Sequence, residues 1–110
     1  MSGYSVVYFE DDDKKSPLIK WFDDQKDRKV VAIVKMRINR LRLGLFGDSK
    51  YLTDGVFELR IHYGAGYRIY YTIIDEKMVV LLCAGDKKTQ SKDIKMAIRY
   101  VALLKESRYA

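Results

Sequence analysis

The sequence predicts an α+β fold in which a small, mostly antiparallel sheet is combined with two N-terminal helices and one C-terminal helix. Two segments, Val56 to His62 and Tyr67 to Ile74, alternate between apolar and polar residues as half-buried strands do. Residues 78–84 form a continuous apolar run, and other stretches repeat apolar residues at helical spacing. The resulting order of elements is β-α-α-β-β-β-α. A chain of this length is expected to form one domain, over residues 1–110.

The N-terminal half begins with a short predicted strand, Tyr4 to Phe9, followed by an acidic turn. Ser16 can cap a short helix, and Pro17 has the φ angle that the first helical position requires. A second helix is predicted from Asp27 to Leu43. Residues 44–55, which contain three glycines, are predicted to form a loop. The apolar residues of the second helix that recur at helical spacing are Val30, Ile33, Val34, Ile38 and Leu41.

The stretch GVFELRIHYGAGYRIYY predicts a β-hairpin, because the glycines of YGAG can supply the positive φ angles of a tight loop. Pairing of the apolar faces places Arg60, His62 and Arg68 on the polar face, and a loop formed by residues 63–65 puts Arg60 directly opposite Arg68. Like charges directly opposite each other destabilise a sheet. A compensating negative charge is therefore expected, which is either Glu58, one pleat away, or a bound anion such as a phosphate.

The C-terminal third is predicted to contain a central strand and a helix. The strand, Met78 to Ala84, is apolar on both faces, as buried strands are. The helix is predicted to start near Ser91, a good N-cap, with Asp93 in the first turn, where the helix dipole favours an acid. We expect the helices to cover the apolar face of the sheet and to leave its polar face open. The apolar stripe of the last helix is Ile94, Ala97, Ile98, Val101 and Leu104.

The net charge of +6 is concentrated in two blocks of the chain. Residues 26–43 contain seven bases and one acid, a net +6, and residues 85–108 contain seven bases and three acids, a net +4. Such clustering is typical of proteins that bind a polyanion or an acidic protein, and solvated helix faces give the same pattern. The candidate polyanion contacts in the two blocks are Lys35, Arg40, Arg42, Lys92, Lys95 and Arg99.

The sequence disfavours several other classes of function. No apolar run approaches the roughly 20 residues needed to cross a bilayer, and the N-terminus lacks the features of a signal peptide. The single Cys83 fits a reducing cytoplasm and is expected to be a buried thiol. One histidine, one cysteine and no clustered carboxylates except EDDD, which we interpret as a solvated turn, predict no metal site. We therefore expect no cofactor, no membrane contact and no small-molecule substrate.

The motifs GLFGD, GVFELRIHYGAGYRIYY and VVLLCAGDKKTQSKDI, in this order, resemble the RelE/ParE superfamily of bacterial toxins. The resemblance covers nearly the whole chain and is to the phage-derived addiction module killer branch, which is close to HigB. It implies a RelE-like mixed sheet and a cognate antitoxin, expected to be a small helix-turn-helix protein. The better-studied members cut mRNA in the ribosomal A site, where a ribose 2′-hydroxyl attacks the adjacent phosphate. The resemblance thus implies mRNA and the ribosome as partners.

The resemblance, carried over motif by motif, implies four basic residues in the catalytic site. The arginine of GYR is Arg68, the base one strand earlier is Arg60, and the basic pair after the last strand is Lys87 and Lys88. Fixed cations can stabilise the negative charge that builds up on a pentacoordinate phosphate, and the arginine fork matches phosphate oxygens. A lysine crowded by other cations can take part in proton transfer. The alternative for the two lysines is a solvated turn.

The residue that moves the proton is less clearly implied. A tyrosine that acts near the start of the last helix in RelE is missing, because Ile94 stands close to the corresponding place. HigB-like members have histidines or acids near the site, which makes His62 and Asp93 candidates. For His62 the alternative is a local hydrogen bond beside a turn.

The predicted function is therefore that of a type II toxin, a metal-independent endoribonuclease that acts on ribosome-bound mRNA and inhibits translation. Two alternatives stay open. A ParE-like toxin has the same fold and inhibits gyrase, although that branch generally lacks the full set of bases found here. An inactive member would only bind a partner protein.

Overall fold

The computed structural model describes residues 3–109, which form three helices and one five-stranded sheet. The predicted α+β class is confirmed, with one strand more than the sequence suggested. Within the described residues, no helix is both long and apolar enough to span a membrane. The elements in chain order are β1 (Ser5–Tyr8), α1 (Pro17–Asp24), α2 (Arg28–Arg42), β2 (Ser49–Thr53), β3 (Val56–Ile61), β4 (Tyr67–Ile74), β5 (Met78–Gly85) and α3 (Gln90–Tyr109).

The sheet has the strand order β1-β5-β4-β3-β2. Strands β3 to β5 form the predicted antiparallel meander, β2 extends it beside β3, and β1 pairs with β5 in parallel. The continuous apolar run of β5 accordingly lies inside the sheet. Because β1 reaches only to the pair Tyr8↔Leu81, the second half of β5 continues beyond the end of β1.

The additional strand β2 corrects the prediction of a loop over residues 44–55. Thr53 pairs with Val56 across a two-residue turn, and both turn residues, Asp54 and Gly55, have positive φ angles of 51° and 85°. An Asp-Gly pair with positive φ at both positions is the signature of a tight β-hairpin turn. The strand itself gives a weak pattern, because it lies at the sheet edge and is largely exposed there.

The helix starts follow from side-chain caps. Ser16 and Asp27 each accept a hydrogen bond from a backbone N–H in the first turn of α1 and α2, as N-cap residues do. The prediction that Ser91 caps the last helix is wrong, since α3 already begins at Gln90. The carboxylate of Asp86 accepts the backbone N–H groups of the two residues that precede α3 and thereby closes the turn earlier.

Both faces of the sheet are covered, so the prediction of an open polar face is wrong. Helices α1 and α2 pack on one face, and α3 packs on the other through a separate apolar cluster. The second cluster exists because β5 is apolar on both sides and α3 needs a surface for its own apolar stripe. On the face under α3, Glu58 is fully buried and the Arg68 side chain is 13% exposed. The buried members of this cluster are Phe9, Val56, Tyr70, Val80, Leu82, Cys83, Ala97 and Val101.

Candidate functional site

The predicted catalytic arginines lie side by side at one end of the sheet. Arg60 on β3 pairs with Arg68 on β4, and Arg68 pairs with Gly85 on β5. The predicted cross-strand register of the two arginines is therefore confirmed. The chain leaves β5 at Gly85 and enters the turn that carries Lys87 and Lys88, so all four basic residues lie at the same end of three adjacent strands.

The turn after β5 approaches the loop of the β3–β4 hairpin. A Cβ atom placed on Gly66 would lie 3.7 Å from Nη1 of Arg68 and 4.0 Å from Cβ of Lys87. Gly66 has a φ angle of 76°, and its carbonyl oxygen accepts a hydrogen bond of 2.8 Å from Nη1 of Arg68. The structure thus brings Arg68 and Lys87 together at this loop. Lys88 is exposed in the same turn, and its backbone N–H bonds to Asp86.

A buried carboxylate compensates the two opposed arginines. Oε1 of Glu58 lies 3.2 Å from Nε of Arg60, and Oε2 lies 3.6 Å from Nε of Arg68. Oε2 also accepts a hydrogen bond of 2.8 Å from Nε2 of Gln90, the first residue of α3. Of the two counter-charges that the sequence left open, the structure contains Glu58. Three charges in contact leave a net local charge of +1, which still suits an anion.

The two arginines differ in exposure. The Arg60 side chain is 35% exposed, whereas the Arg68 side chain is 13% exposed. Nε of Arg68 and the hydroxyl of Tyr70 are both buried and make no hydrogen bond to any described residue. Burial raises the pKa of the Tyr70 hydroxyl, so this tyrosine is a neutral residue under the site.

Asp93 lies next to the arginine row, which we define as the paired residues Arg60, Arg68 and Gly85 on three adjacent strands. Its carboxylate lies against the backbone of Gly85, where a Cβ atom would overlap Oδ2 of Asp93. Burial raises the pKa of the Asp93 carboxyl, and the hydrogen bond from the Thr89 hydroxyl lowers it in part. A carboxyl group whose pKa is raised by burial is a candidate for proton exchange beside a cationic site.

His62 lies just beyond the end of β3 and is 73% exposed. Its Nε2 atom lies 2.6 Å from Oδ2 of Asp48, and this hydrogen bond lowers the pKa of the Asp48 carboxyl. His62 therefore makes a hydrogen bond, but its partner lies 14 residues earlier in the chain and is not the local partner beside the turn that the sequence suggested. The backbone N–H of Arg60 donates to the carbonyl oxygen of Asp48 at 2.9 Å, so the His62–Asp48 pair lies beside Arg60, whose charge also lowers the pKa of Asp48.

The two basic blocks lie on opposite faces of the sheet. Lys92 and Lys95 are exposed on α3, whose first residue bonds to Glu58, so this block begins at the site. Exposed Arg42 ends α2, and its carbonyl oxygen accepts the N–H of Tyr4, just before β1. Because β1 runs parallel to β5, the start of β1 lies beside the start of β5. The end of α2 therefore lies at the opposite end of the sheet from Gly85, which ends β5.

The remaining candidates are surface residues on the same two helices. Arg40 is exposed near the end of α2, and Nζ of Lys35 lies 5.2 Å from the centroid of the Phe22 ring. Arg99 is exposed on α3, two turns after Lys92. The structure does not bring Arg40 to the arginine row.

Two contributors were not predicted from the sequence. Gln90 bonds to Glu58 across 32 residues of chain, and no local pattern predicts such a contact. Arg37 of α2 packs over Gly47, where its guanidinium would collide with an added Cβ atom, and its charge lowers the pKa of Asp48. The second glycine of GLFGD, Gly47, can be recognised as a signal for that close approach only once the fold is known.

Metal ligands are not grouped in the described part of the chain, where no three side chains of His, Cys, Asp or Glu are placed to share an ion. Near the site, burial raises the pKa of the Cys83 thiol to about 12, and its sulfur lies 3.6 Å from the carbonyl oxygen of Asp93. Cys83 is therefore a structural thiol under α3. The chemistry available at this end of the sheet is that of fixed cations and of the groups that exchange protons beside them.

Comparison with known proteins finds a family model, a sequence relative and a solved structure that are similar to this chain. A family model described as "Phage derived protein Gp49-like (DUF891)" matches residues 18–102. An uncharacterized protein of Haemophilus influenzae is 49% identical over 77 residues, which are 70% of this chain and 78% of that protein. A chain of the toxin–antitoxin complex RelBE2 from Mycobacterium tuberculosis has a TM-score of 0.54 at 23% identity, over 79% of this chain and 94% of that chain. At that identity the structural match concerns the fold, and it confirms the predicted RelE-like architecture.

Proposed function

The chain belongs to the Gp49-like family of phage-derived proteins, a family of RelE/ParE toxin type, and from this premise we propose that it is a toxin that cuts mRNA on the ribosome. The observation that carries the proposal is the Arg60–Arg68 pair beside the Lys87–Lys88 turn. Two forked cations that face one position can bind two oxygens of a single phosphate. The net positive charge of this cluster is what a reaction at phosphate requires.

The proposed reaction is attack of a ribose 2′-hydroxyl on the adjacent phosphate, which breaks the bond to the 5′-oxygen of the next nucleotide. Arg60 and Arg68 stabilise the charge on the phosphate oxygens in the transition state. His62, held by Asp48, and Asp93, whose pKa burial raises, are the groups that can accept the 2′-hydroxyl proton. Lys87 and Lys88 are the groups that can supply the proton that the leaving 5′-oxygen requires.

Dependence on the ribosome is the first expected result. No tyrosine stands at the start of α3, where Ile94 instead packs into the apolar cluster under the helix, and His62 is largely exposed. The described part of the chain therefore offers no complete acid–base pair fixed at the two arginines, and we expect the ribosome to orient the message. Purified protein should cut mRNA on translating ribosomes well and the same naked mRNA poorly. Equal cleavage of both would contradict the proposal.

An antitoxin is the second proposed partner. The structural neighbour was solved as a toxin–antitoxin complex, and this supports an antitoxin for the present chain as well. A silencing partner has to screen basic surface on both faces of the sheet, which favours an acidic or mixed segment long enough to pass around an edge. A small helix-turn-helix protein encoded beside this chain would support the assignment.

The ionic-strength dependence of RNA binding distinguishes the two basic blocks. On single strands, each lost phosphate contact reduces the slope of log affinity against log salt by about 0.7. The double variant Lys92→Gln/Lys95→Gln, on the helix that begins at the site, should therefore reduce this slope by roughly 1.4 in single-stranded RNA titrations. The matched variant Arg40→Gln/Arg42→Gln, whose helix ends at the opposite end of the sheet, should change it less. A salt-independent affinity of the wild type would exclude both blocks as phosphate contacts.

The site of action in the cell separates the mRNA nuclease from its alternatives. The chain should be induced without an antitoxin, and the rates of translation and DNA replication should be followed from the first minutes. An early arrest of translation supports the proposal. An early arrest of replication would instead support a gyrase inhibitor, and growth without arrest would support a module that only binds a partner.

A further inference from the structure

We propose that Glu58 is a positioning residue that orients the guanidinium groups of Arg60 and Arg68 toward one phosphate. The inference rests on the proposed function and deepens it. It assigns a role to a carboxylate with no solvent exposure, which cannot itself reach an RNA substrate.

The carboxylate lies at the base of both arginine side chains. Glu58 precedes Arg60 by two residues on β3, so the two side chains share a face, and its cross-strand partner Tyr70 lies two residues after Arg68 on β4. Glu58 faces the Nε atom of each arginine, at 3.2 Å and 3.6 Å. Contact at Nε leaves terminal nitrogens free to point elsewhere, and Nη1 of Arg68 lies at the Gly66 loop, near Lys87.

Gln90 fixes the carboxylate from the opposite side. Its side-chain amide donates to Oε2 of Glu58 at 2.8 Å, and it is the first residue of α3. The carboxylate is thus held by the strand below and the helix above, which restricts its own rotation. A carboxylate placed in this way can preorganise two long side chains that would otherwise lose rotamer freedom only when the substrate binds.

Stability alone does not account for the arrangement. A buried ion pair loses hydration energy about as large as the attraction that it gains, so such groups contribute little net stability compared with apolar residues of similar volume. The same contacts nevertheless fix direction. The arrangement resembles catalytic sites in which a buried partner orients the group that touches the substrate.

The first test reads orientation without any nuclease assay. In ¹H–¹⁵N spectra of the wild type, the Nε–H of Arg60 should exchange with water at least 10-fold more slowly than that of exposed Arg28, because it is hydrogen-bonded to a buried carboxylate. Arg60→Lys assigns the signal. Exchange of Arg60 as fast as that of Arg28 would overturn the proposal, whatever the protein does to RNA.

The second test compares Glu58→Gln with Tyr70→Phe. Both changes are nearly isosteric and both sites are fully buried in the same cross-strand pair, but the Tyr70 hydroxyl makes no hydrogen bond within the described residues. Glu58→Gln should lower kcat for ribosome-bound mRNA by roughly 10-fold to 100-fold, the scale of a misplaced catalytic group. Its affinity for RNA should hold or increase, since a negative charge near the phosphate site is removed. Tyr70→Phe should stay within about 2-fold of the wild type in both quantities.

The outcomes separate a positioning role from a structural one and from failure of the proposed function. An unchanged kcat in Glu58→Gln, or equal losses of kcat and RNA affinity, would overturn the positioning role. If Glu58→Gln does not fold, Glu58→Asp retains the charge but is too short to meet both Nε atoms, and normal cleavage by that variant would overturn the role instead. A wild type that cuts no message contradicts the proposed function, while the exchange measurement still decides whether Glu58 holds the Nε–H of Arg60.

Discussion

Arg68→Ala is expected to reduce mRNA cleavage on translating ribosomes by roughly 100-fold or more, the usual cost of removing a preorganised group that stabilises developing charge. Arg68 is the central residue of the row Arg60–Arg68–Gly85, and its side chain approaches Lys87 at the Gly66 loop. Arg68→Lys should restore only part of the activity, since a single ammonium group cannot reproduce the fork. Arg28→Ala, on an exposed position at the start of α2, is the matched control and should cleave normally.

The same variant should lose some stability. The sequence suggested that Arg68 lies on an open face, where its removal would be neutral, but the side chain is largely buried beside Glu58. Because Glu58 keeps Arg60 and Gln90 as partners, we expect a loss of roughly 1–2 kcal/mol rather than unfolding. Thermal unfolding should therefore be measured together with cleavage. Normal cleavage would refute the catalytic role, and a loss of several kcal/mol would assign Arg68 to structure.

Local chemistry accounts for the parts of the fold that could be predicted from the sequence. The caps of α1, the apolar stripe of α2 and the alternation in β3 and β4 are set by residues close together in the chain, and each was placed to within a few residues. The edge strand β2 was missed because its pattern is weak and only the turn Asp54-Gly55 signals it. The sequence did not predict that α3 covers the second face of the sheet. The face on which a helix packs depends on the whole core and not on the residues of the helix alone.

In the candidate site, too, contacts set by neighbouring residues could be predicted and contacts set by the whole fold could not. The pairing of Arg60 with Arg68 follows from strand period and loop length, and sequence reasoning predicted it correctly. The burial of Glu58 could not be predicted, since alternation assigns it to a polar face and only α3 removes that face from solvent. Gln90 and Arg37 reach the site from other elements, so no spacing in the chain could have predicted their contacts. The catalytic roles of Arg60 and Arg68 stay predictions until cleavage is measured.

Gly85→Ala is the second change for which we expect a large effect. Gly85 ends β5 beside Arg68, and an added Cβ atom would overlap the Asp93 carboxylate and lie 2.5 Å from Oγ1 of Thr89. Both side chains would have to rotate away, which breaks their mutual hydrogen bond and shifts the start of α3. Overpacking of this kind costs about 1–3 kcal/mol, so the melting temperature should fall by several degrees. Cleavage should fall as well, since the turn that carries Lys87 follows directly.

A double-mutant cycle identifies the cause of this loss. If contact with the Asp93 carboxylate is responsible, Asp93→Ala should be less harmful in the Gly85→Ala background than in the wild type, because the same change then also relieves the overlap. We expect the double variant to be more stable than the sum of the single effects by roughly 1 kcal/mol, measured by urea unfolding. Simple additivity would show that the glycine is required for another reason, and the placement of Asp93 against the end of β5 would then be wrong. Because Asp93 is a candidate proton acceptor, the same four proteins should also be compared for cleavage across pH.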